Sequence, residues 1–381
     1  MKITHGLAWE EVIRTIDTHK VKNISNPDLQ HLLCMFIEVT KRCSFKCVHC
    51  YNQGLVTKKE MSYGEICSIF DQMADLGAYL VVITGGDPLA RTDLLKIIKY
   101  AKKKGFAVRL DTPAVLITEE IAHQLADLYL LYVNISIYGM SNKTYKLITG
   151  ASDAFSRVEH NVEAMNKKKI PLAFRIRLFR DNFSELPKAI KWVQSLNPEG
   201  YEVFWRCHPT IRRYNMYTPF RHVLTKSQVK KLKNRFPNEV IPDLASRPPK
   251  DSPMCSAVAG NNLIVCINSS GGVSPCPIMR NTTNFRNKPL KEIFLKDPCF
   301  VGVRNLKYKS ALQCLDCKFF GYCTPCVAHF QLFTGKISVA RAPIEMCRFL
   351  TSISQQLTKS KKAMHLPSGC EISDFYKEKD S

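Results

Sequence analysis

Three cysteines fall within eight residues, Cys43-x3-Cys47-x2-Cys50, in a stretch that also carries Lys41, Arg42 and Lys46. Thiolates at this spacing reach one metal centre from one loop. A tetrahedral zinc would need a fourth ligand, from His49 or a distant cysteine. A four-iron cluster on three thiolates keeps one iron open to an outside ligand. A segment this polar does not suit three core cysteines, so metal binding is expected. A second group is denser still: ten of the sixteen cysteines lie between Cys255 and Cys370. It includes Cys314-x2-Cys317-x5-Cys323-x2-Cys326, with Cys255, Gly271-x4-Cys276 and Cys347 around it. Paired Cys-x2-Cys units suit a zinc ribbon as well as iron–sulfur ligation.

The rest of the chain has to hold these groups in place. Its 381 residues are 45% hydrophobic and 23% charged, enough for folded cores in two or three domains. No run approaches the roughly 20 apolar residues of a membrane span. The N-terminus carries acids and has no apolar signal region. A cytoplasmic protein with reduced thiols is expected, its cysteines serving as metal ligands rather than disulfides. The net charge of +22 is spread mainly as lysine runs at probable helix ends, such as 102–104 and 167–169. One segment differs: 201–260 holds eleven Lys or Arg against four Asp or Glu, interleaved with Tyr201, Trp205, Tyr214 and Tyr217. It suits an acidic peptide as well as a nucleic acid.

Strand-length apolar runs alternate with amphipathic stretches. Strands are expected at 33–40, 80–85, 107–112, 132–137, 172–179 and 201–207, and helices at 61–77, 92–105, 118–128, 153–169 and 185–196. Ser62 and Glu65 are spaced as a capping box. Six such repeats imply a parallel sheet, either doubly wound or curled into a partial barrel, with function at the C-terminal strand ends. After Cys207 the pattern gives way to a basic, proline-rich segment with one probable helix at 225–236. Beyond 255, short strands, turns and cysteines are expected.

Placed after the first strand, Cys43-x3-Cys47-x2-Cys50 resembles the signature of the radical SAM superfamily. The resemblance implies a partial (β/α)6 TIM-type barrel whose three cysteines hold a [4Fe–4S] cluster. The open iron would bind S-adenosylmethionine (SAM), and one electron would cleave it to a 5′-deoxyadenosyl radical. Gly85-Gly86-Asp87-Pro88 after the second strand matches the family's GGE-type motif, with Asp87 in place of Glu. Tyr51, Gly85, Gly86, Asp87, Ser136 and Arg157 are the implied SAM contacts. Thr112-Pro113-Ala114 departs from the Thr-Asn-Gly of many relatives. The C-terminal cysteines resemble the SPASM domain, which implies two auxiliary [4Fe–4S] clusters and three in all. One would use Cys255, Cys276 and Cys326, with Cys266 as candidate fourth ligand; the other would use Cys314, Cys317, Cys323 and Cys347. Only two residues precede Cys326 where the usual pattern has three.

The layout implied is a helical lead-in at 1–30, the barrel at 31–207, a basic bridge at 208–254, the SPASM region at 255–350 and a C-terminal helix or tail at 351–381. Asp111, Asp181 and Cys207 lie at strand ends and are candidate catalytic groups; Cys34, Cys67, Cys299 and Cys370 are read as core or incidental. Proteins of this layout modify ribosomally made peptides, sulfatases or haem precursors. Pro277 stands where sulfatase maturases carry an aspartate, which disfavours that branch. The expectation is a peptide maturase taking an acidic peptide, with a reductant such as flavodoxin or ferredoxin and, if the substrate has a leader, a separate leader-binding protein. Neither a nucleic-acid partner nor a membrane span is expected. The alternatives are radical modification of a tetrapyrrole or other small molecule, and, from another class, a zinc-binding nucleic-acid protein.

Overall fold

The structure, a computed structural model, describes residues 2–4, 34–50, 52, 59–204, 222, 224–236, 250–251, 264–277, 279, 283–311 and 327–328. The chain divides into two compact units: residues 1–224 with 255–305, and residues 225–254 with 306–381.

In the first unit the expected repeats form in order. Strands β2 (Cys34–Thr40), β3 (Leu80–Gly85), β4 (Ala107–Thr112), β5 (Tyr132–Ile137), β6 (Leu172–Arg177) and β7 (Gly200–Phe204) pair side by side in sequence order, all parallel. Sequence order decides between the two expected sheets. Right-handed crossovers between successive neighbours put every helix on one face. A doubly wound sheet would reverse its order midway. This sheet does not, so its other face is left to line a lumen, the topology of a partial barrel.

The helices on the outer face are α1 (Tyr63–Asp75), α2 (Leu94–Lys103), α3 (Glu119–Ala126), α4 (Asn142–Thr149), α5 (Ala154–Lys167) and α6 (Leu186–Ser195). Helix α1 starts at the expected capping box, with Ser62 accepting from the Glu65 amide at 3.2 Å and Glu65 accepting from the Ser62 amide at 2.8 Å. It buries Ile66, Ile69, Phe70 and Met73 against the sheet, at ~1.5–3 kcal/mol per fully buried side chain. Strand residues Val81, Ile83, Val108, Leu110, Val133 and Ile135 meet these helices with no exposed surface.

The sheet is wider than six strands. Lys2–Thr4 (β1) pairs in parallel with β7, so the helical reading of the 1–30 lead-in meets a strand at its start. On the other edge β8 (Ile264–Ile267) pairs in parallel with β2, and β9 (Gly272–Ser274) and β10 (Thr283–Asn284) follow antiparallel. Beyond residue 255 the chain also forms two helices that the sequence reading did not expect, α8 (Leu290–Lys296) and α9 (Pro298–Arg304). Asp297 caps the latter through the Cys299 amide at 2.9 Å, and Pro298 stands at its first position, a helix start written in the sequence. This part is tied to the barrel: Arg286 pairs with Glu65 at 2.5 Å, and Gln72 accepts from the Leu290 amide at 2.9 Å.

The second unit contains α7 (Lys226–Arg235), as expected from 225–236, capped by Thr225 and Gln228. Lys309 there bonds Lys250 through its backbone at 2.7 Å and Asp251 through its ammonium at 2.7 Å.

Candidate cofactor site at the C-terminal strand ends

The cysteine loop leaves β2 at Thr40, whose hydroxyl donates to Glu60 at 2.7 Å; the Lys41 amide donates to the same carboxylate at 2.9 Å. The loop is then stitched to α4: the Lys46 amide donates to Thr149 at 2.7 Å and the Val48 amide to Ile148 at 2.9 Å. Helix α4 is the element the sequence reading missed, although Ser141 as N-cap and Gly150 as left-handed C-cap mark both its ends. Two rings plug the loop into the barrel mouth. Phe45 packs edge-on against Tyr138 and Tyr145, and His49 packs against Tyr138 and Phe179, both at 5.5 Å. Cys43 is left exposed, Cys47 is buried and Cys50 is intermediate, none of the three in a disulfide.

The donors fit a cluster-type group. The Phe45 amide donates to Cys43 Sγ at 3.4 Å, and the Cys50 amide turns back onto Cys47 O at 3.1 Å. Burial pushes Cys43 up to about 11 and Cys47 up to about 12, and each thiolate would repel its neighbours. The loop therefore holds neutral thiols until a cationic centre supplies the opposite charge. Among the described residues no three His, Cys, Asp or Glu side chains converge on the point a single ion would occupy.

Gly85 and Gly86 seat β3 against this loop. The Gly86 amide donates to Thr40 O and the Asp87 amide to Arg42 O, both at 2.8 Å. A Cβ on Gly85 would sit 2.3 Å from Thr40 O, and one on Gly86 2.4 Å from Arg42 O. The close approach these glycines permit is thus to the start of the cysteine loop itself. Asp87 has no exposed surface; its Oδ1 accepts from Thr112 at 2.9 Å and from the Leu89 amide at 3.2 Å. Its Oδ2 is shut off from solvent with no hydrogen-bond partner. Thr112 also accepts from the Ala114 amide at 3.0 Å, so the Thr-Pro-Ala departure keeps the threonine that touches Asp87.

Burial raises Asp87 from 3.8 to about 6, and its two hydrogen bonds only partly offset that. The fold thus prefers the protonated acid. Its contribution is complete below pH ~4 and is lost as pH rises through ~6, a swing of roughly 3 kcal/mol at 1.36 kcal/mol per unit. Asp87→Asn keeps the acceptor and removes the titration. Unfolding free energies of the metal-free variant, from urea titration, should match wild type at pH 4 and exceed it at pH 7.5 by up to that amount. An unchanged pH slope in the variant would remove Asp87 as its source.

Ser136 stands on the lumen face of β5 with its Cα opposite Arg175 of β6, two residues before Tyr138. Burial, then the nearby Cys47, pushes Tyr138 well above its ordinary range. Arg157 lies exposed on α5 and donates to Val115 O at 3.1 Å. Asp111 is engaged otherwise than a base would be. Burial would raise it, but Arg109 and Arg175 outweigh that and hold it below the usual carboxylate range. Arg109 grips it through two nitrogens at 2.5 and 2.8 Å, with Arg175 at 3.3 Å and Asn134 at 3.2 Å. Asp181 meets a residue the sequence reading passed over: His222 Nδ1 lies 2.6 Å from its Oδ2, with His222 only 3% exposed.

Cys266 sits on β8 with its Cα opposite Phe36 of β2, and across β9 opposite Ser274, two residues before Cys276. Burial, then Cys276, Cys34 and Glu38, raises Cys266 well above its ordinary range. Cys34 is buried, as its core reading expects, whereas Cys67, also read as core, is half-buried on α1; Cys299, read as incidental, is buried on α9. Tyr51, Cys207, Cys255, Cys314, Cys317, Cys323, Cys326, Cys347 and Cys370 lie outside the described residues.

Residues 37–193 match the model of the radical SAM superfamily. The chain is 24% identical over 324 residues to the AdoMet-dependent heme synthase of Methanosarcina barkeri, across 78% of this chain and 92% of that protein. It is 26% identical over 316 residues to the PqqA peptide cyclase of Bradyrhizobium diazoefficiens, across 76% of this chain and 81% of that protein. In fold it resembles Streptococcus suis SuiB bound to S-adenosylmethionine, with a TM-score of 0.66 at 15% identity, over 89% of this chain and 82% of that one. SuiB bound to the precursor peptide SuiA is similar at a TM-score of 0.64, 15% identity, 86% of this chain and 79% of that one.

Proposed function

The chain belongs to the radical SAM superfamily and is an enzyme of it, and from that premise we propose that it cleaves SAM reductively and uses the resulting radical to modify a ribosomally made peptide. Proteins of this superfamily use SAM and a [4Fe–4S] cluster, and the cluster supplies the electron that breaks a C–S bond of SAM. One observation carries the assignment: the glycine pair docks on the cysteine loop and leaves Asp87 Oδ2 buried and unpaired beside it. A buried acceptor without a donor is costly, and the SAM ammonium is a donor of the right charge. Cys43, Cys47 and Cys50 would hold the cluster. Asp87 and the 85–87 backbone would take the ammonium, and Ser136 and Arg157 the carboxylate. Tyr51 would complete the cofactor contacts.

The C-terminal cysteines would bind two auxiliary [4Fe–4S] clusters in a SPASM region, with the ligand sets given above. Cys266 supports this reading by lying buried within electrostatic range of Cys276. The electron would come from a flavodoxin or ferredoxin, and a leader, where the substrate has one, would be read by a separate protein. A cytoplasmic setting is proposed with it; among the described residues no helix is long and apolar enough to cross a membrane.

The peptide reading draws on the similarity to a peptide cyclase and on the likeness to SuiB in its peptide-bound form. The similarity to a heme synthase, across 92% of that protein, keeps radical modification of a tetrapyrrole as the second reading. The two are separated by incubating the reconstituted enzyme, SAM and dithionite with short peptides encoded beside its gene, or with coproporphyrin derivatives. A crosslinked peptide lighter by two hydrogens supports the first. An altered porphyrin with every peptide untouched replaces it with the second.

A further inference from the structure

Among the described residues the lumen face carries three arginines, and two of them pair with carboxylates. Arg109 and Arg175 share Asp111, and Arg175 also approaches Glu202 at 3.9 Å. Arg177, one pleat nearer the barrel mouth on β6, has no carboxylate within ion-pair distance among the described residues. Its guanidinium lies over the Phe204 ring, 4.5 Å from the centroid. Its Nε is closed off from solvent without a hydrogen-bond partner. It is near enough to His49 and Tyr138 for its charge to act on both, so it stands beside the cysteine loop.

We infer that Arg177 receives a carboxylate of the substrate. Three observations carry this. A half-buried cation whose Nε is closed off from solvent, with no counter-ion among the described residues and in a layer whose other charges are paired, asks for an anion. The Phe204 ring covers one side of the guanidinium and offers none of its N–H donors a carboxylate. That planar fork matches a carboxylate, two bonds at a time. Position separates it from the groups proposed for the cofactor's ammonium: Arg177 ends β6, while Gly85–Asp87 end β3, three strands away; Ser136, proposed for the cofactor's carboxylate, is on the neighbouring β5, so the test below includes decarboxylated SAM. The inference rests on the proposed reading of the site and sharpens it. The substrate, whether an Asp- or Glu-bearing peptide or a propionate-bearing tetrapyrrole, presents a carboxylate to the barrel mouth.

The test does not require turnover. Anaerobic holoenzyme saturated with SAM is treated with phenylglyoxal, and modification of Arg177 is followed by peptide mass spectrometry against the exposed Arg180. Each acidic probe is paired with a neutral twin: an N-acetylated glutamyl tetrapeptide with its glutaminyl counterpart, and coproporphyrin with its tetramethyl ester. At about ten times its Kd, a probe that occupies the site slows modification roughly tenfold. The expected result is protection by an acidic member and none by its twin, and the pair that protects names the source of the carboxylate. Arg177→Gln should weaken that probe at least tenfold, Arg177→Lys less, with SAM affinity unchanged in both. The inference is overturned if no acidic probe protects. It is equally overturned if SAM alone protects while decarboxylated SAM does not, for the arginine then serves the cofactor. Failure of the SAM-cleaving reading itself shows separately, as absence of 5′-deoxyadenosine.

Discussion

Anaerobic wild-type protein, reconstituted and given SAM and dithionite, is expected to form 5′-deoxyadenosine, and the Cys43→Ala/Cys47→Ala/Cys50→Ala variant to form none. The size of the effect follows from the ligand arithmetic. On the proposed reading the three thiols would be the whole protein-derived ligand set of one cluster, so the variant should lose about four irons per chain while keeping any iron held by the C-terminal cysteines. Activity and iron then fall together, which a folding defect alone would not produce in that proportion. The single Cys43→Ala variant guards the interpretation. Cys43 is exposed, so its removal leaves no cavity, whereas Cys47 is buried at 8% exposure. Cys43→Ala should fold as wild type does and still make no product. Zinc in place of iron in a colourless preparation would end the radical reading and restore the nucleic-acid binder as the hypothesis to test. Product formation undiminished in the triple variant would move the cluster elsewhere in the chain.

What the sequence shows well is whatever a single β–α repeat decides for itself. Strands at 80–85, 107–112 and 132–137 form at the expected residues, because their apolar runs are bounded by turns and flanked by amphipathic stretches. The cysteine loop is legible for the same reason: its three ligands lie in eight residues. What the sequence hides is what several repeats decide together. Arg109, Asp111 and Arg175 read as polar interruptions of apolar strands, yet they form one ion-pair cluster with Glu202 across β4, β6 and β7. No local signal joins them, since the pairing of strands far apart in the chain makes the contact. That is why Asp111, a reasonable base by its place at a strand end, is instead an ion-pair partner. It is also why the pairing of Asp181 with His222, 41 residues away, was out of reach. Helix α4 is a different case, for Ser141 and Gly150 mark both its ends in the sequence, and its eight residues are short enough to pass for part of the connection between β5 and α5.

The glycine pair joins the local and the global in one prediction. Gly86→Ala is a substitution of one methyl, and it is expected to cost the cluster. The methyl would lie 2.4 Å from Arg42 O and 2.6 Å from Lys41 O, both backbone atoms that cannot rotate aside. Relief requires the end of β3 to part from the cysteine loop. That breaks the Gly86–Thr40 and Asp87–Arg42 hydrogen bonds, both 2.8 Å. Overpacking at ~1–3 kcal/mol and two hydrogen bonds at ~0.5–1.5 kcal/mol each sum to roughly 2–6 kcal/mol. That is a large share of a typical domain's stability of about 5–15 kcal/mol. Because the strain falls where the loop begins, the expected signature is local: iron content lower by about one cluster and product formation reduced about a hundredfold or more, with a smaller fall in Tm. Gly64→Ala supplies the control of opposite sign. Gly64 stands in α1 with nothing within 4 Å of its would-be Cβ, so alanine there should stabilise by ~0.5–1 kcal/mol and leave iron and product unchanged. If Gly86→Ala kept full iron and full activity, the docking of β3 on the loop would not be what holds the site. Equal loss in both variants would point to general fragility rather than to that contact.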